Sequence, residues 1–380
     1  MQIELLSNSI DIKRYLKEIG VDSGGVSIMS SKTLHYNIYI RDLHVGAANI
    51  LKQDALSVGA DLAVPRGTVI AKTPYVDCML VATLRQLQIL SKKELAQPFG
   101  LKEVAHKLQE ISKIKKPLDP KIMGIINAND DSFFSQSRFD QKGAIEAIEK
   151  MIDDGADIID IGGVSSAPNS LPVDKDEELR RVKPILDAIQ EQKLYDIVKF
   201  SIDSYEPLVI DYALSRGFKI VNDITGLSNS EVINLCASYN ATAVVMHMQN
   251  IPQTMQEDPH YEHILSDIYS FFQERVAEAD SFGVKDIILD VGIGFGKTLE
   301  HNLMLIKHQA HFLTLDRPML VGASRKSLID KISASSVKER LSGTLALHLE
   351  AIKNGASIIR VHDVYEHTQA LRVFRALENI

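Results

Sequence analysis

Between residues 121 and 362, short apolar runs alternate with stretches whose apolar residues recur every three or four positions, and each run ends on a polar or glycine signature. Ile122 to Ile126 ends at Asn127, Ile158 to Ile161 at Gly162-Gly163, Val198 to Ile202 at Asp203, and Phe218 to Val221 at Asn222-Asp223. Ala243 to Met246 ends at His247 and Ile287 to Leu289 at Asp290. Met319 to Val321 ends at Gly322 with Ser324-Arg325-Lys326 beyond it, and Ile358 to Ile359 at Arg360 with His362. The runs have strand length. The stretches between them, such as Ala144, Ile145, Ile148, Met151-Ile152 or Leu179, Val182, Ile185, Leu186, Ile189, each lay one apolar stripe along a helix. This alternation predicts a parallel (β/α)8 TIM barrel over 121–380, closed by a last helix at about Val364 to Leu377. Strand C-termini converge on one face of such a barrel, so the pattern proposes a site along with the fold.

Residues 1–115 pattern differently, as a small mixed α/β N-terminal domain. Leu34 to Ile40 alternates, Ala47 to Ser57 is helical, Asp61 to Val64 and Val76 to Ala82 are strands, and Leu101, Val104, Ala105, Leu108 and Ile111 form one buried helix face. Lys113-Ile114-Lys115-Lys116-Pro117-Leu118-Asp119-Pro120 is charged, carries two prolines and reads as the linker. No motif in 1–115 carries chemistry, which ranks stabilisation or assembly above separate catalysis there.

Composition narrows the function. The 380 residues are 45 % hydrophobic and 24 % charged, ample for two cores, and a formal charge of −8 argues against a nucleic-acid or membrane-surface partner, which needs a cationic face. There is no basic-plus-apolar leader and no apolar run of membrane-spanning length, so the expected location is cytoplasmic. Cys78 and Cys236 stand outside any Cys-x-x-Cys motif and are expected to be reduced and buried.

Asp203, Asn222 and Asp290 are the residues most in need of explanation, because a carboxylate at the end of an apolar strand is costly unless N–H groups reach it. Neighbouring backbone could supply those groups; two aspartates and an asparagine at matching strand ends favour a ligand rich in N–H. The stretch Gly292-Ile293-Gly294-Phe295-Gly296-Lys297-Thr298 misses the phosphate-loop pattern, with Val291 where a glycine is required, and misses the dinucleotide fingerprint at Lys297. It reads as a tight loop that brings Phe295 against a flat ligand. Arg325, Lys326, Arg360 and His362 follow the last two strands, a common phosphate position in barrels, and suggest a phosphate or diphosphate. His260-x-x-His263 and His308-x-x-His311 have helical spacing without a third metal ligand and read as solvated helix histidines. For His247 two readings stay open, pocket lining and satisfied core.

Taken in order, Met123-Gly124-Ile125-Ile126-Asn127 with Asp131-Ser132-Phe133, Asp203, Asn222-Asp223-Ile224, Met246-His247-Met248-Gln249, Gly294-Phe295-Gly296-Lys297, Ser324-Arg325-Lys326-Ser327 and Arg360-Val361-His362-Asp363 resemble the dihydropteroate synthases of folate biosynthesis. The resemblance implies a transferase that joins 6-hydroxymethyl-7,8-dihydropterin diphosphate to 4-aminobenzoate, releasing diphosphate. It implies that Asp203, Asn222, Asp290 and Lys326 hold the pterin, with Met246 and Phe295 against its faces. Asn127 is then a Mg²⁺ ligand on the diphosphate, which Arg360 and His362 also bind, and Phe133, Ser166, Pro168, Ser324 and Arg325 line the aminobenzoate subsite. Asp203, Lys326, Arg360 and His362 are the candidate catalytic residues. The resemblance further implies a homodimer and sensitivity to sulfonamides.

The chemistry suits those residues. Negative charge grows on the departing diphosphate and positive charge spreads over the pterin, so Mg²⁺ with Arg360 and His362 would stabilise one and Asp203 with Asp290 the other. An arylamine is already neutral at pH 7, so positioning is expected in place of covalent catalysis. Two loops depart from the family pattern: Asn127-Ala128-Asn129-Asp130-Asp131-Ser132-Phe133 has Asn-Asp for Thr-Pro, and Val164-Ser165-Ser166-Ala167-Pro168 lacks the usual arginine. The competing functions are a pterin-dependent methyltransferase, against which the Ser324-Arg325-Lys326 and Arg360-x-His362 cations argue, and a non-catalytic pterin-binding paralogue, against which Asn127, Lys326, Arg360 and His362 argue.

Overall fold

A computed structural model describes residues 3, 4, 6, 10–114, 119–128, 141–164 and 173–378. They form two compact units, Met1–Ile114 with Arg375–Ile380, and Lys115–Phe374.

In the first unit, β1 (His35–His44), β2 (Asp61–Ala63) and β3 (Tyr75–Thr83) make an antiparallel sheet in the order β1-β3-β2. Burial along β3 alternates residue by residue, as expected of a strand with one face on a core. That core joins Val76, Cys78, Leu80 and Ala82 to Leu51 and Ala55 of the helix Val45–Ser57, Leu87 and Leu90 of Leu84–Lys93, and Leu101, Ala105 and Leu108 of Leu101–Lys113. The helix Leu84–Lys93 has no counterpart in the sequence reading, although Thr83 and Gln86 start it with a reciprocal capping box whose three-residue spacing is legible in the chain.

The second unit is a closed parallel barrel. Its strands are β4 (Lys121–Asn127), β5 (Ile158–Gly162), β6 (Lys199–Asp203), β7 (Ile220–Asp223), β8 (Thr242–Met246), β9 (Ile287–Asp290), β10 (Met319–Val321) and β11 (Ile358–Val361), paired in sequence order with β11 returning to β4. Alternate side chains face opposite ways. One set, including Phe200, Ile202, Val221, Val245, Leu289, Val321 and Ile359, packs outward under the helices. The other fills the base of the barrel with Met123, Ile158, Ile220, Val244, Ile288, Leu320 and Ile358. The expected stripes fall on the helices Gln141–Asp153 and Lys175–Glu191, and the last helix is Val364–Glu378.

Cys78 and Cys236 are both free thiols and both buried. The histidine pairs are exposed, but not as neighbours on helix faces. His260 precedes and His263 caps the helix Ile264–Ser281, while His308 ends the helix Leu299–Lys307 and His311 lies in the short 3-10 turn after it. Among the described residues no helix is long and apolar enough to cross a membrane.

Candidate active site

Register converts the strand ends into a ring. Asn127 pairs with Gly162, Gly162 with Asp203 and Asp203 with Asn222, while Met246 pairs with Asp290 across β8 and β9. Paired residues point to the same side of a sheet, and these share the barrel interior with Asp160, two positions before Gly162 on β5.

Asp160 and Asp203 converge on one cation. Arg360, on β11, donates from Nε to Asp160 Oδ2 at 2.6 Å and from Nη2 to Asp203 Oδ2 at 2.6 Å. Asn222 Nδ2 donates to Asp160 Oδ2 at 3.2 Å. The other oxygen of Asp160 is buried and has no hydrogen-bond partner among the described residues. Burial, with the Asp160 carboxylate beside it, pushes Asp203 upward against the pull of Arg360. Asp290 is also pushed up by burial, opposed by the Gly292 N–H that donates to its Oδ1 at 2.8 Å. A buried acceptor without a donor is costly and calls for a partner that these side chains do not supply.

The glycine loop after β9 places the opposite charge. A Cβ on Gly294 would come 3.3 Å from Lys326 Cδ, so the missing side chain makes room for the lysine stem. Lys326 Nζ donates to the Ile293 carbonyl and stands 4.5 Å from the centroid of the Phe295 ring. Burial pulls Lys326 down to about 8, with Asp290 opposing. Lys297 has a different task from the one its place near a ligand loop suggests. It is buried, and its Nζ bonds His247 Nδ1 at 3.0 Å, His247 O at 3.2 Å and Phe295 O at 2.8 Å, stapling the loop to the end of β8. His247 is therefore a satisfied core histidine. It packs edge-on to Phe271, and burial followed by Lys297 holds it down to about 2.

The cationic cluster after β10 and β11 is less cationic than its sequence. Arg325 donates from Nε and Nη2 to the two Asp363 oxygens at 2.8 and 2.7 Å, and from Nη1 to the carbonyls of Val337 and Lys338. This corrects the reading of Arg325 as a charge for an incoming anion: its fork braces the loop from within. His362 is held down to about 3 by burial and by Arg360, so it is neutral at pH 7 in the protein alone, and its Nδ1 lies 2.9 Å from Ser324 Oγ.

A family profile described as pterin binding enzyme matches residues 123–362. A bifunctional dihydropteroate synthase/dihydropteroate reductase from Helicobacter pylori is 43% identical over 97% of this chain and 97% of its own length. The chain belongs to the dihydropteroate synthase family. The dihydropteroate synthase of Escherichia coli is 39% identical, over 68% of this chain and 91% of its own. Among solved structures, a Yersinia pestis dihydropteroate synthase in a sulfonamide complex superposes with a TM-score of 0.66 at 34% identity, covering 69% of this chain and 95% of that one. The Thermus thermophilus dihydropteroate synthase in complex with 4-aminobenzoate gives 0.60 at 35% identity, covering 68% and 95%. These are transferases of folate biosynthesis, and the (β/α)8 barrel is their fold.

Within a dihydropteroate synthase, the structure brings Asp203, Asn222, Met246, Asp290, Phe295, Lys326 and Arg360 to one end of the barrel. Phe133, Ser166 and Pro168 lie outside the described residues, as do the altered positions Asn129, Asp130 and Ala167. Asp160 is the site residue that the sequence reading passes over. Its signal was a lone carboxylate inside Ile158-Ile159-Asp160-Ile161, where a strand buried on both faces has no solvent to receive it. Asp223, by contrast, is structural: it accepts from Thr225 N, Thr225 Oγ1 and Leu227 N in the turn after β7.

Proposed function

We propose that this dihydropteroate synthase binds the N–H-rich edge of 6-hydroxymethyl-7,8-dihydropterin diphosphate on Asp160, Asp203, Asn222 and Asp290, with Met246, Phe295 and Lys326 around the ring. The observation that carries this assignment is the buried Asp160 oxygen without a donor, beside two further carboxylates in the same interior. The pterin donors would take over part of the work Arg360 does for Asp160 and Asp203, which leaves the guanidinium able to turn toward the diphosphate. Ser324, His362 and Arg360 then meet the leaving group, and Phe133, Ser166, Pro168 and Ser324 form the 4-aminobenzoate subsite, with Arg325 bracing it.

The amine nitrogen attacks the pterin methylene carbon as its bond to the diphosphate oxygen breaks. The electron pair leaves with diphosphate, and the amine proton passes to solvent or to the leaving group. Asp203 and Asp290 stabilise the positive charge that spreads over the pterin. Magnesium is implied by the family. Asn127, whose Oδ1 lies at the barrel mouth near Gly162, suits a single amide ligand, and among the described residues no three acidic, histidine or cysteine side chains are grouped so that they could hold a metal ion. That donor set fits an ion that arrives with its diphosphate and keeps most of its waters. When bound, Mg²⁺ supplies charge neutralisation on the leaving group.

Incubating purified protein with the pterin diphosphate, 4-aminobenzoate and Mg²⁺ should yield dihydropteroate and diphosphate. Pterin binding without turnover would overturn the assignment. Competition by sulfonamides against 4-aminobenzoate tests whether the altered loops still form that subsite. We also expect a cytoplasmic homodimer formed through barrel helices, which mass in solution and fractionation would check.

A second reading concerns residues 1–115. The bifunctional relative matches over 97% of both chains, whereas the Escherichia coli synthase covers only 68% of this one. This supports a reduction of dihydropteroate that depends on the N-terminal domain. The test is conversion of dihydropteroate to tetrahydropteroate with NADPH or a reduced flavin as donor, in the full chain and in a chain lacking 1–114.

A further inference from the structure

Behind the loops that follow β10 and β11 lie two histidines that no part of the proposed reaction uses. His348, on the helix Leu341–Lys353, and His367, on Val364–Glu378, are each 1% exposed. They join end to end. The Ala323 N–H donates to His348 Nε2 at 3.0 Å, His348 Nδ1 lies 2.9 Å from His367 Nε2, and His367 Nδ1 lies 2.6 Å from the Asp363 carbonyl.

The two ends of this chain settle where every proton sits. A backbone N–H only donates, so His348 Nε2 is bare and the ring proton is on Nδ1. That proton is donated to His367 Nε2, which is bare in turn, and the His367 proton on Nδ1 is donated to a carbonyl that only accepts. A second proton on either ring would set donor against donor. Burial lowers the proton affinity of both rings, and the neighbouring His367 lowers that of His348 further.

The anchored atoms are informative. Ala323 lies in Gly322–Lys326 and Asp363 closes Arg360–Asp363, the two loops that carry Ser324, Lys326, Arg360 and His362. The helix Leu341–Lys353 grips the first loop a second time one turn earlier, where Thr344 Oγ1 accepts from Arg325 N at 2.9 Å. The Asp363 side chain meanwhile receives both forks of Arg325. The two loops are thus tied to each other three times, through Ser324 and His362, through Arg325 and Asp363, and through the histidines.

We propose that His348 and His367 are positioning residues of the synthase: a one-way hydrogen-bond relay that fixes the spacing between the two loops on which substrate is held. The proposal rests on the assignment of those loops to the diphosphate and 4-aminobenzoate. A Gln at position 348 can present an amide oxygen to Ala323 and an amide N–H to His367, whereas Leu fills the space and offers neither.

The experiment has two arms. In ¹⁵N-histidine spectra of the full chain, both rings should show a protonated Nδ1 and an unprotonated Nε2, unchanged between pH 6 and 8. Nε2–H in either ring would overturn the relay, whatever the enzyme does. In kinetics, His348→Leu should lower kcat/KM for 4-aminobenzoate by about 10- to 100-fold, the scale of loss from a small misplacement of reacting groups. Affinity for 6-hydroxymethylpterin, which has no diphosphate and pairs mainly with β5, β6, β7 and β9, should hold, and His348→Gln should recover most of the loss. A folded His348→Leu with wild-type kcat/KM, or an equal loss in the Gln variant, would overturn the positioning role. If His348→Leu does not fold, the spectra and the Gln variant still decide. Absence of turnover in the wild type would instead remove the synthase assignment, with the tautomer result standing apart from it.

Discussion

Asp160→Asn tests the barrel site at its least redundant atom. Oδ2 of Asp160 already serves Arg360 and Asn222, and the buried Oδ1 has no donor among the described residues. The substitution keeps the shape of the side chain. Its amide oxygen can still accept from Arg360 and Asn222, which puts the amide nitrogen where the unpartnered oxygen was. If a pterin N–H is the intended donor, donor then faces donor. A hydrogen bond to a charged group contributes about 1.5–3 kcal/mol, and at about 1.4 kcal/mol per decade its loss weakens binding roughly 10- to 150-fold. Folding should change less than binding, because Arg360 keeps Asp203 at 2.6 Å and one of two crowded carboxylates has been neutralised. The assay is calorimetric titration with 6-hydroxymethylpterin, with thermal unfolding as the control for structure. A folded variant whose Kd stays within about twofold of wild type would refute the claim that this oxygen awaits the pterin.

Other outcomes follow from the same geometry. Asp203→Asn and Lys326→Ala should each cut turnover by at least about 10²-fold, read as kcat/KM, since each removes a charge at the reacting ring. Lys326 is pulled down to about 8, so kcat/KM should fall on the alkaline side near that pH as its cation is lost; in Lys326→Arg the alkaline limb should move up or vanish. Glu178, buried on the helix Lys175–Glu191, is raised from its ordinary 4.5 to about 7, chiefly by burial. The folded state therefore holds that proton more tightly than the unfolded one, a contribution complete below pH 4.5 and lost as pH rises through 7. Glu178→Gln should accordingly gain stability relative to wild type between pH 5 and 8, on the order of 3 kcal/mol by denaturant unfolding, and a pH-independent difference would contradict this. Gly292 has φ +65°, and a Cβ there would sit 2.0 Å from the His247 carbonyl oxygen. Gly292→Ala should therefore lower Tm by roughly 4–6 °C, as for a loss of about 3 kcal/mol against an unfolding entropy of about 2.1 cal/mol/K per residue.

The sequence alone was enough for the barrel and for most of its polar end. Strand and helix periods differ, so runs such as Ile287 to Asp290 and stripes such as Leu179 to Ile189 could be told apart without knowing their neighbours. Asp203, Asn222 and Asp290 stood out because a polar group at the end of an apolar run demands a partner. Asp160 did not, since it interrupts its run instead of ending it. The terminal helices Ile12–Glu18 and Ser23–Ser30 were also missed; neither carries a long apolar stripe to announce it, and only Val26 and Ser30 are buried between them.

Pairing was the part that composition and period could not reach. Arg360 meets Asp160 across 200 residues of sequence, and Arg325 meets Asp363 across 38. Charge counting along the chain put both arginines in a cationic cluster awaiting an anion. Closing the barrel brings β11 back to β4, and the register of β4 to β7 then sets carboxylates before one guanidinium while the last two loops consume the other. A side chain's type and its strand parity are local properties, so they can be read from sequence. Whether a charge is available to a ligand depends on which distant group reaches it first, and that is decided only when the ring is closed.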